Sequence, residues 1–279
     1  MARFSILVDV AKCNGCYNCF LSCRDEYYGN DYPSYSAAQP LNGQFWMQLV
    51  EIERGVYPKP KLSYIPKPCM HCENAPCIDA AKDGAVYRRD DGIVMIDPEK
   101  SKGQKEIVNA CPYRVIYWNE EQEIAQKCTM CAHRLDEGEK MPRCVESCPT
   151  GALLFGDLDD PESEVAKLAA RLNFEDLKPE FNTGSLVKYA GVPKRFVAGE
   201  VVYRDNQGEC AAGVRVSLSG GGLNLETKTD VFGDFEFEGL DRNRTYKVLV
   251  RADRYQQCEI EFNTPKDVNL GEILLDPQK

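Results

Sequence analysis

The last third of the chain alternates. Val197 to Tyr203, Val214 to Leu218, Leu223 to Thr229, Phe235 to Phe237, Tyr246 to Ala252, Cys258 to Phe262 and Val268 to Leu274 place apolar residues near every second position, the period of a strand with one buried face. Asp205-Asn206, Gly220 to Gly222 and Asp230 to Asp234 supply turns between them. Short strands at this spacing predict an all-β seven-stranded sandwich over 196–279, with immunoglobulin-like or prealbumin-like topology. One helical pattern precedes it: Asp160 as cap, Pro161 in the first turn, and Val165, Leu168, Ala169 and Leu172 as a single stripe. Leu177 to Arg195, interrupted by Pro179, Gly184, Gly191 and Pro193, reads as an extended arm, so 157–195 forms a helix-and-arm linker.

Residues 1–156 follow another rule. A strand is expected at about Phe45 to Glu53, inside an aromatic stretch with Tyr27, Tyr28, Tyr32, Tyr35, Trp46, Tyr57 and Tyr64. These rings either pack the chain's own core or face a partner subunit. The apolar runs Phe4 to Val10 and Gly151 to Phe155 fall well short of the ~18 residues of a membrane-spanning helix. What organises this half is cysteine.

Twelve of the 14 cysteines fall between Cys13 and Cys148. Cys13, Cys16, Cys19 and Cys23 read C-x2-C-x2-C-x3-C; Cys69, Cys72 and Cys77 read C-x2-C-x4-C; Cys111 precedes Pro112; Cys128, Cys131, Cys144 and Cys148 read C-x2-C-x12-C-x3-C before Pro149. The first group has bacterial-ferredoxin spacing. Three close thiolates wrap one cubane, and the fourth, pointing away along the emerging helix, ligates another. Zinc is the alternative, since C-x2-C pairs also build tetrahedral sites, although zinc ribbons use separated pairs. The crossover rule groups Cys13, Cys16, Cys19 and Cys148 as a first set and Cys23, Cys128, Cys131 and Cys144 as a second. Cys69, Cys72, Cys77 and Cys111 remain as a third, so twelve thiolates fill three [4Fe–4S] cubes.

Charge and termini narrow the setting. With 34 Lys and Arg against 44 Asp and Glu, the formal charge of −10 argues against a nucleic-acid partner. The opening residues lack the apolar core and cleavage site of an export signal, so a cytoplasmic location is expected and disulfides are not; Cys210 and Cys258 are expected as free thiols. No nucleophile triad or phosphate loop is recognisable, so no catalytic residue is expected on this chain.

The cysteine pattern resembles the four-cluster iron–sulfur subunits that partner molybdopterin oxidoreductases of the dimethyl sulfoxide reductase family. The stretches Val8 to Cys13, Pro68 to Cys77, Cys111 to Tyr113 and Gln126 to His133 carry the resemblance, which extends over essentially the whole chain. It implies an α+β double ferredoxin-like domain, pseudo-twofold around its [4Fe–4S] clusters, over 1–156. Ala81 stands where the second motif's last Cys belongs, and Ser101, Gln104 and Ile107 occupy the first three positions of the third motif. All four missing ligands would serve one cluster, the one nearest a membrane partner in that family, while the first set would lie nearest the molybdenum.

The resemblance therefore implies a shortened electron wire with no membrane subunit. The partner would be a large catalytic subunit carrying molybdenum bis-molybdopterin guanine dinucleotide, in a heterodimer or a multiple of it. Within the family the pattern is similar to members acting on phenols, which implies conversion of pyrogallol to phloroglucinol by transhydroxylation, with 1,2,3,5-tetrahydroxybenzene as cosubstrate. A net-redox molybdenum enzyme and a free-standing polyferredoxin are the alternatives. Thr229 to Phe237 resembles the carboxypeptidase regulatory or collagen-adhesin B-type domain, which implies docking or shielding, not catalysis.

Near the ligands, Lys12, Lys127, Arg24, Arg114, Arg134 and Arg143 either raise cluster potentials or are ordinary surface charges, the two Lys-Cys pairs being the better candidates for tuning. His71 and His133 are each expected to pack beside a cluster and donate a hydrogen bond rather than ligate iron. Pro112 and Pro149 fix the backbone where it turns away from a ligand.

Overall fold

A computed structural model describes residues 2–206 and 209–278. The chain divides into two compact units, Met1–Ile52 with Ser63–Val192, and Glu53–Leu62 with Pro193–Lys279.

In the first unit, strand β1 (Phe4–Asp9) leads to helix α1 (Asn18–Tyr27); β2 (Gln48–Arg54) and β3 (Lys61–Lys67), which pair as a hairpin, follow, their residues 53–54 and 61–62 being counted with the second unit. Helix α2 (Pro76–Ala80), β4 (Val86–Arg88), β5 (Val94–Ile96) and α3 (Glu106–Asn109) follow. β6 (Tyr117–Asn119), β7 (Ile124–Gln126), α4 (Ala132–Asp136), α5 (Arg143–Glu146), β8 (Leu153–Asp157), α6 (Glu164–Arg171) and β9 (Val187–Ala190) complete the unit. β4 with β5 and β6 with β7 are short antiparallel hairpins.

The apolar runs at both ends of the cysteine region meet in one sheet of order β8-β1-β9. β1 pairs antiparallel with β8, Phe4 opposite Asp157 and Val8 opposite Leu153, and parallel with β9, Ile6 opposite Val187. As the central strand it is covered on both faces, which is why Ser5, Ile6, Leu7 and Val8 are all buried without alternation. This pairing holds Cys13, just past β1, beside Cys148, just before β8.

Two expectations for 157–195 need correction. Helix α6 is capped by Ser163, whose Oγ accepts from the Ala166 N–H at 3.0 Å; Asp160 instead closes the preceding turn on the Glu162 N–H. The extended arm is absent. That stretch contains a short 3-10 turn, Pro179–Phe181, and then β9, so it closes the first unit's sheet. Its Pro and Gly residues mark loops around a sheet strand, a tertiary pairing that local composition did not reveal.

The second unit holds β10 (Arg195–Tyr203), β11 (Arg215–Gly220), β12 (Leu223–Lys228), β13 (Asp234–Leu240), β14 (Thr245–Arg251), β15 (Cys258–Asn263) and β16 (Val268–Leu275). They form sheets of order β13-β10-β16 and β12-β11-β14-β15. Val197, Val201, Val216, Leu218, Phe235, Phe237, Val248 and Ile273 belong to one buried cluster fed by both sheets. Alternation explains it: every second residue of β11 and β14 turns inward.

Residues 53–62 also belong to this unit, which sequence reading did not anticipate. Lys59 pairs with Asp234, and Lys61 with Glu236 and Glu238 on β13. Buried Asp267 accepts from the Phe196 N–H at 3.2 Å and the Gly55 N–H at 3.3 Å, and lies 3.6 Å from Arg195. No helix among the described residues is long and apolar enough to cross a membrane.

Candidate metal centres

The C-x2-C loops that open the three motifs, Cys13 to Cys16, Cys69 to Cys72 and Cys128 to Cys131, share a backbone device. The residue before the second Cys is left-handed in each: Gly15 at φ 73°, His71 at 44° and Met130 at 54°. Tyr17 (62°) and Cys131 (52°) are left-handed as well. Only glycine enters this region freely; for other residues it costs about 1–2 kcal/mol. A Cβ on Gly15 would also meet Tyr64 Cζ at 2.5 Å. Such curled loops turn neighbouring sulfurs to one side and persist where the surroundings over-determine them.

The structure brings the third set together around a cavity. Cys69, Cys72, Cys77 and Cys111 line one small pocket, with Met70, His71, Val94, Tyr113, Val115 and Ile116 as a largely apolar wall. In the first set, burial, with Cys13 and Cys148 close by, raises the Cys19 thiol to about 12. In the second, burial holds Cys23 and Cys144 well above the ordinary thiol range, with Cys128 and Cys131 as close neighbours of both. Burial also raises Cys72 and Cys128 to about 12 and Cys77 to about 11. Four thiolates so buried and so close are opposed by desolvation and by mutual repulsion; a cationic metal core bound to all four relieves both. Among the described residues no three His, Cys, Asp or Glu converge as they would around a single ion. Cys210 and Cys258 belong to the second unit.

Both Cys-Pro turns aim amides at their sulfur. Cys148 is lowered despite burial because the Leu153, Thr150 and Ala152 N–H groups and the Thr150 hydroxyl bond it. Cys111, raised by burial, receives the Val115, Tyr113 and Arg114 N–H groups. Arg114 (φ 56°) and Gly151 (φ 64°) occupy equivalent left-handed positions three residues past the cysteine. The Met130 N–H lies 3.3 Å from Cys128 Sγ and the His71 N–H 3.5 Å from Cys69 Sγ. Arrays of N–H donors on sulfur are what a cluster of anionic thiolates requires, so the residues present fit the group.

The flanking cations separate into two kinds. Arg134 lies 3.1 Å and Arg143 2.7 Å from Glu146, and both approach Glu26, so their charge is answered by carboxylates. Arg24 serves the Gln39 side chain and the Pro40 and Leu41 carbonyls. Lys12 is half exposed and pairs with Asp9 at 3.5 Å. Lys127 differs: it is 2% exposed and donates to the Val94 and Cys128 carbonyls.

The two histidines are both buried. His133 Nε2 sits 2.9 Å from Glu26, and its ring stacks on Tyr32 at 3.7 Å. His71 Nδ1 accepts the Val94 N–H at 3.1 Å, which leaves the proton on Nε2, an atom with no partner.

Two hydroxyls escaped the sequence reading. Tyr27, buried in the core, bonds Thr129 Oγ1 at 2.7 Å and also lowers the Cys131 thiol by a hydrogen bond, against a larger effect of burial. Thr183 bonds the Tyr113 hydroxyl at 2.8 Å and reaches Cys72. Tyr27 was visible only as one of many aromatics, and Thr183 carried no local signal, since the fold-back of 177–192 delivers it.

The positions lacking cysteine are occupied by packing. Ile107 is fully buried with Ala75, Val86, Ile96 and Ile116, and Ala81 rests on the same cluster. Ser101 donates to the Pro98 carbonyl at 3.3 Å, and Gln104 bonds the Lys82 and Lys100 backbones.

Comparison with known proteins agrees with this chemistry. A family described as a 4Fe-4S dicluster domain matches residues 60–158. The chain is 43% identical over 282 aligned residues to the pyrogallol hydroxytransferase small subunit of Pelobacter acidigallici, covering 99% of this chain and 100% of that one. It is 36% identical to a tetrathionate reductase subunit of Salmonella typhimurium, covering 70% of this chain and 75% of the relative. It is 33% identical to a sulfite dehydrogenase subunit of Allochromatium vinosum, covering 70% and 85%. The chain therefore belongs to the family of [4Fe–4S] iron–sulfur subunits of dimethyl sulfoxide reductase-type molybdenum enzymes that includes the pyrogallol hydroxytransferase small subunit.

Proposed function

We propose that this chain is the electron-carrying small subunit of a molybdopterin enzyme that converts pyrogallol to phloroglucinol by hydroxyl transfer, with three [4Fe–4S] clusters as its cofactors. The reading is supported by the placement of Cys69, Cys72, Cys77 and Cys111 around one pocket and the close approach of most of the other cysteines, combined with end-to-end similarity to the hydroxytransferase small subunit. Cys13, Cys16, Cys19 and Cys148 hold the first cluster, Cys23, Cys128, Cys131 and Cys144 the second, and Cys69, Cys72, Cys77 and Cys111 the third. Each cluster, when bound, accepts and returns one electron. The chain's own residues supply the thiolates, the N–H donors of the Cys-Pro turns, the Tyr27 and Thr183 hydroxyls, and a wall that excludes water.

The same reading gives the first unit a double ferredoxin-like architecture that lost one cluster by repacking. It makes the second unit a seven-stranded sandwich that docks or shields. The catalytic centre, molybdenum bis-molybdopterin guanine dinucleotide, belongs to a large partner subunit in a heterodimer or a multiple of it. Cys16 is exposed, and Tyr17, Leu21, Phe45 and Tyr28 are exposed along the same part of the chain, Leu21 at 59%. Phe20 joins Tyr17 to Phe45, at 5.9 and 5.4 Å between ring centroids. An apolar surface beside the first set supports docking of the partner there. With the outer cluster gone, no membrane subunit is needed, and the complex is assigned to the cytoplasm.

Iron and sulfide analysis of the anaerobically purified complex tests the cofactor assignment: about twelve irons from this chain are expected. Zinc at a few atoms per chain contradicts it. A second reading, a net-redox molybdenum enzyme, is supported by the reductase and dehydrogenase relatives.

A further inference from the structure

Val94, on β5, is gripped through both of its backbone groups. Its N–H donates to His71 Nδ1 at 3.1 Å, and its carbonyl accepts from Lys127 Nζ. His71 lies between Cys69 and Cys72 and lines the third set's cavity. Lys127 immediately precedes Cys128 of the second set and bonds that residue's carbonyl at 3.0 Å. One residue's backbone thus ties a residue that lines the third set's pocket to the residue that precedes Cys128 of the second set.

Neither side chain is satisfied by the protein alone. His71 is fully buried, its Nδ1 is occupied as an acceptor, and its Nε2–H has no partner. A buried donor left unpaired costs about 1–3 kcal/mol. Lys127 is also buried, and among the described residues its partners are two carbonyls and no carboxylate. A buried ammonium needs a counter-charge. The anionic groups available are the cysteine sulfurs, and Lys127 opposes the effect of burial on both Cys77 and Cys128.

We propose that His71 and Lys127, held in place by Val94, set the reduction potentials of the third and second clusters. His71 donates its Nε2–H to a sulfur of the third cluster, and Lys127 is the shared counter-cation between the two. The inference rests on the assignment of three [4Fe–4S] clusters above. Both groups favour the reduced cluster, which carries one more negative charge, so both raise potential. They also differ in reach: a hydrogen bond acts on one cluster, whereas a charge between two acts on both.

The test is a redox titration of the anaerobically purified holo-complex, followed by EPR, with iron counted in every sample. Lys127→Met is expected to lower the potentials of the second and third clusters together, each by about tenfold in its reduction equilibrium, or about 59 mV for one electron. Lys127→Arg restores them. His71→Phe is expected to lower the third alone. Because either variant could lose iron, the wild-type complex labelled with 15N-histidine supplies a second reading: pulsed EPR of the reduced third cluster is expected to show nitrogen coupling from His71 that survives His133→Phe. Full iron with unmoved potentials, or no histidine coupling in the wild type, overturns the inference. Iron far below twelve in the wild type overturns the cluster assignment itself, and this inference with it.

Discussion

The side-chain amide of Gln104 bonds both backbone groups of Lys82, accepting its N–H at 2.8 Å and donating to its carbonyl at 3.3 Å. That amide fastens the end of α2 to the turn before α3, while Ile107 fills the interior behind it. Polar clamping and apolar packing together crosslink this part of the chain.

Ile107→Ala is accordingly expected to cost roughly 2–5 kcal/mol, as for other fully buried large-to-small changes, without altering iron content. Denaturant midpoints and iron counts on the same preparation check it. A loss of four irons would show that residue 107 still borders a cluster.

The grouping of the cysteines was legible in the sequence because it is largely local: C-x2-C-x2-C-x3-C nearly dictates its own loop. The strands around Val197, Val216 and Val248 were legible because a buried face forces alternation. Partners delivered by long-range folding were not. Thr183 reaches Cys72, and Val187 pairs with Ile6, through contacts that no local pattern encodes. The cap of α6 was misplaced because Asp160-Pro161 is a good start signal in isolation, whereas Ser163 is the residue whose hydroxyl meets a free N–H.

In the second unit, Asp267 is the residue on which the 53–62 segment depends. Its carboxylate serves the Gly55 and Phe196 N–H groups and lies near Arg54 and Arg195. Asp267→Ala strands buried donors and is expected to cost about 3–5 kcal/mol. Faster proteolysis near residues 55–60 and a lower melting temperature are the expected signs.

The Arg89–Asp136 pair gives a pH signature. Two hydrogen bonds from Arg89, at 2.8 and 2.7 Å, hold the Asp136 carboxyl at about 2, against some burial and with help from Tyr35. The unfolded carboxyl titrates near ~3.9, so the pair's contribution is complete above that value and disappears as pH falls toward about 2. Because the pair is partly exposed, Asp136→Asn should cost only about 1 kcal/mol at neutral pH. The difference between variant and parent in anaerobic urea unfolding should stay constant from pH 8 to 5 and shrink below pH 4.

Replacing Cys111 by Ser tests the pairing of ligands. Only the third cluster's EPR signal is expected to change, since Cys111 borders Cys69, Cys72 and Cys77 in one cavity. Disturbance of another cluster would break the assignment.

The most direct measurement is turnover of pyrogallol by the natively purified complex, kept anaerobic, with 1,2,3,5-tetrahydroxybenzene and no external electron donor. The account predicts phloroglucinol under those conditions, with the clusters acting as a redox buffer for a reaction that has no net electron demand. No product until a reductant is supplied would contradict it and assign this chain to a net-redox molybdenum enzyme.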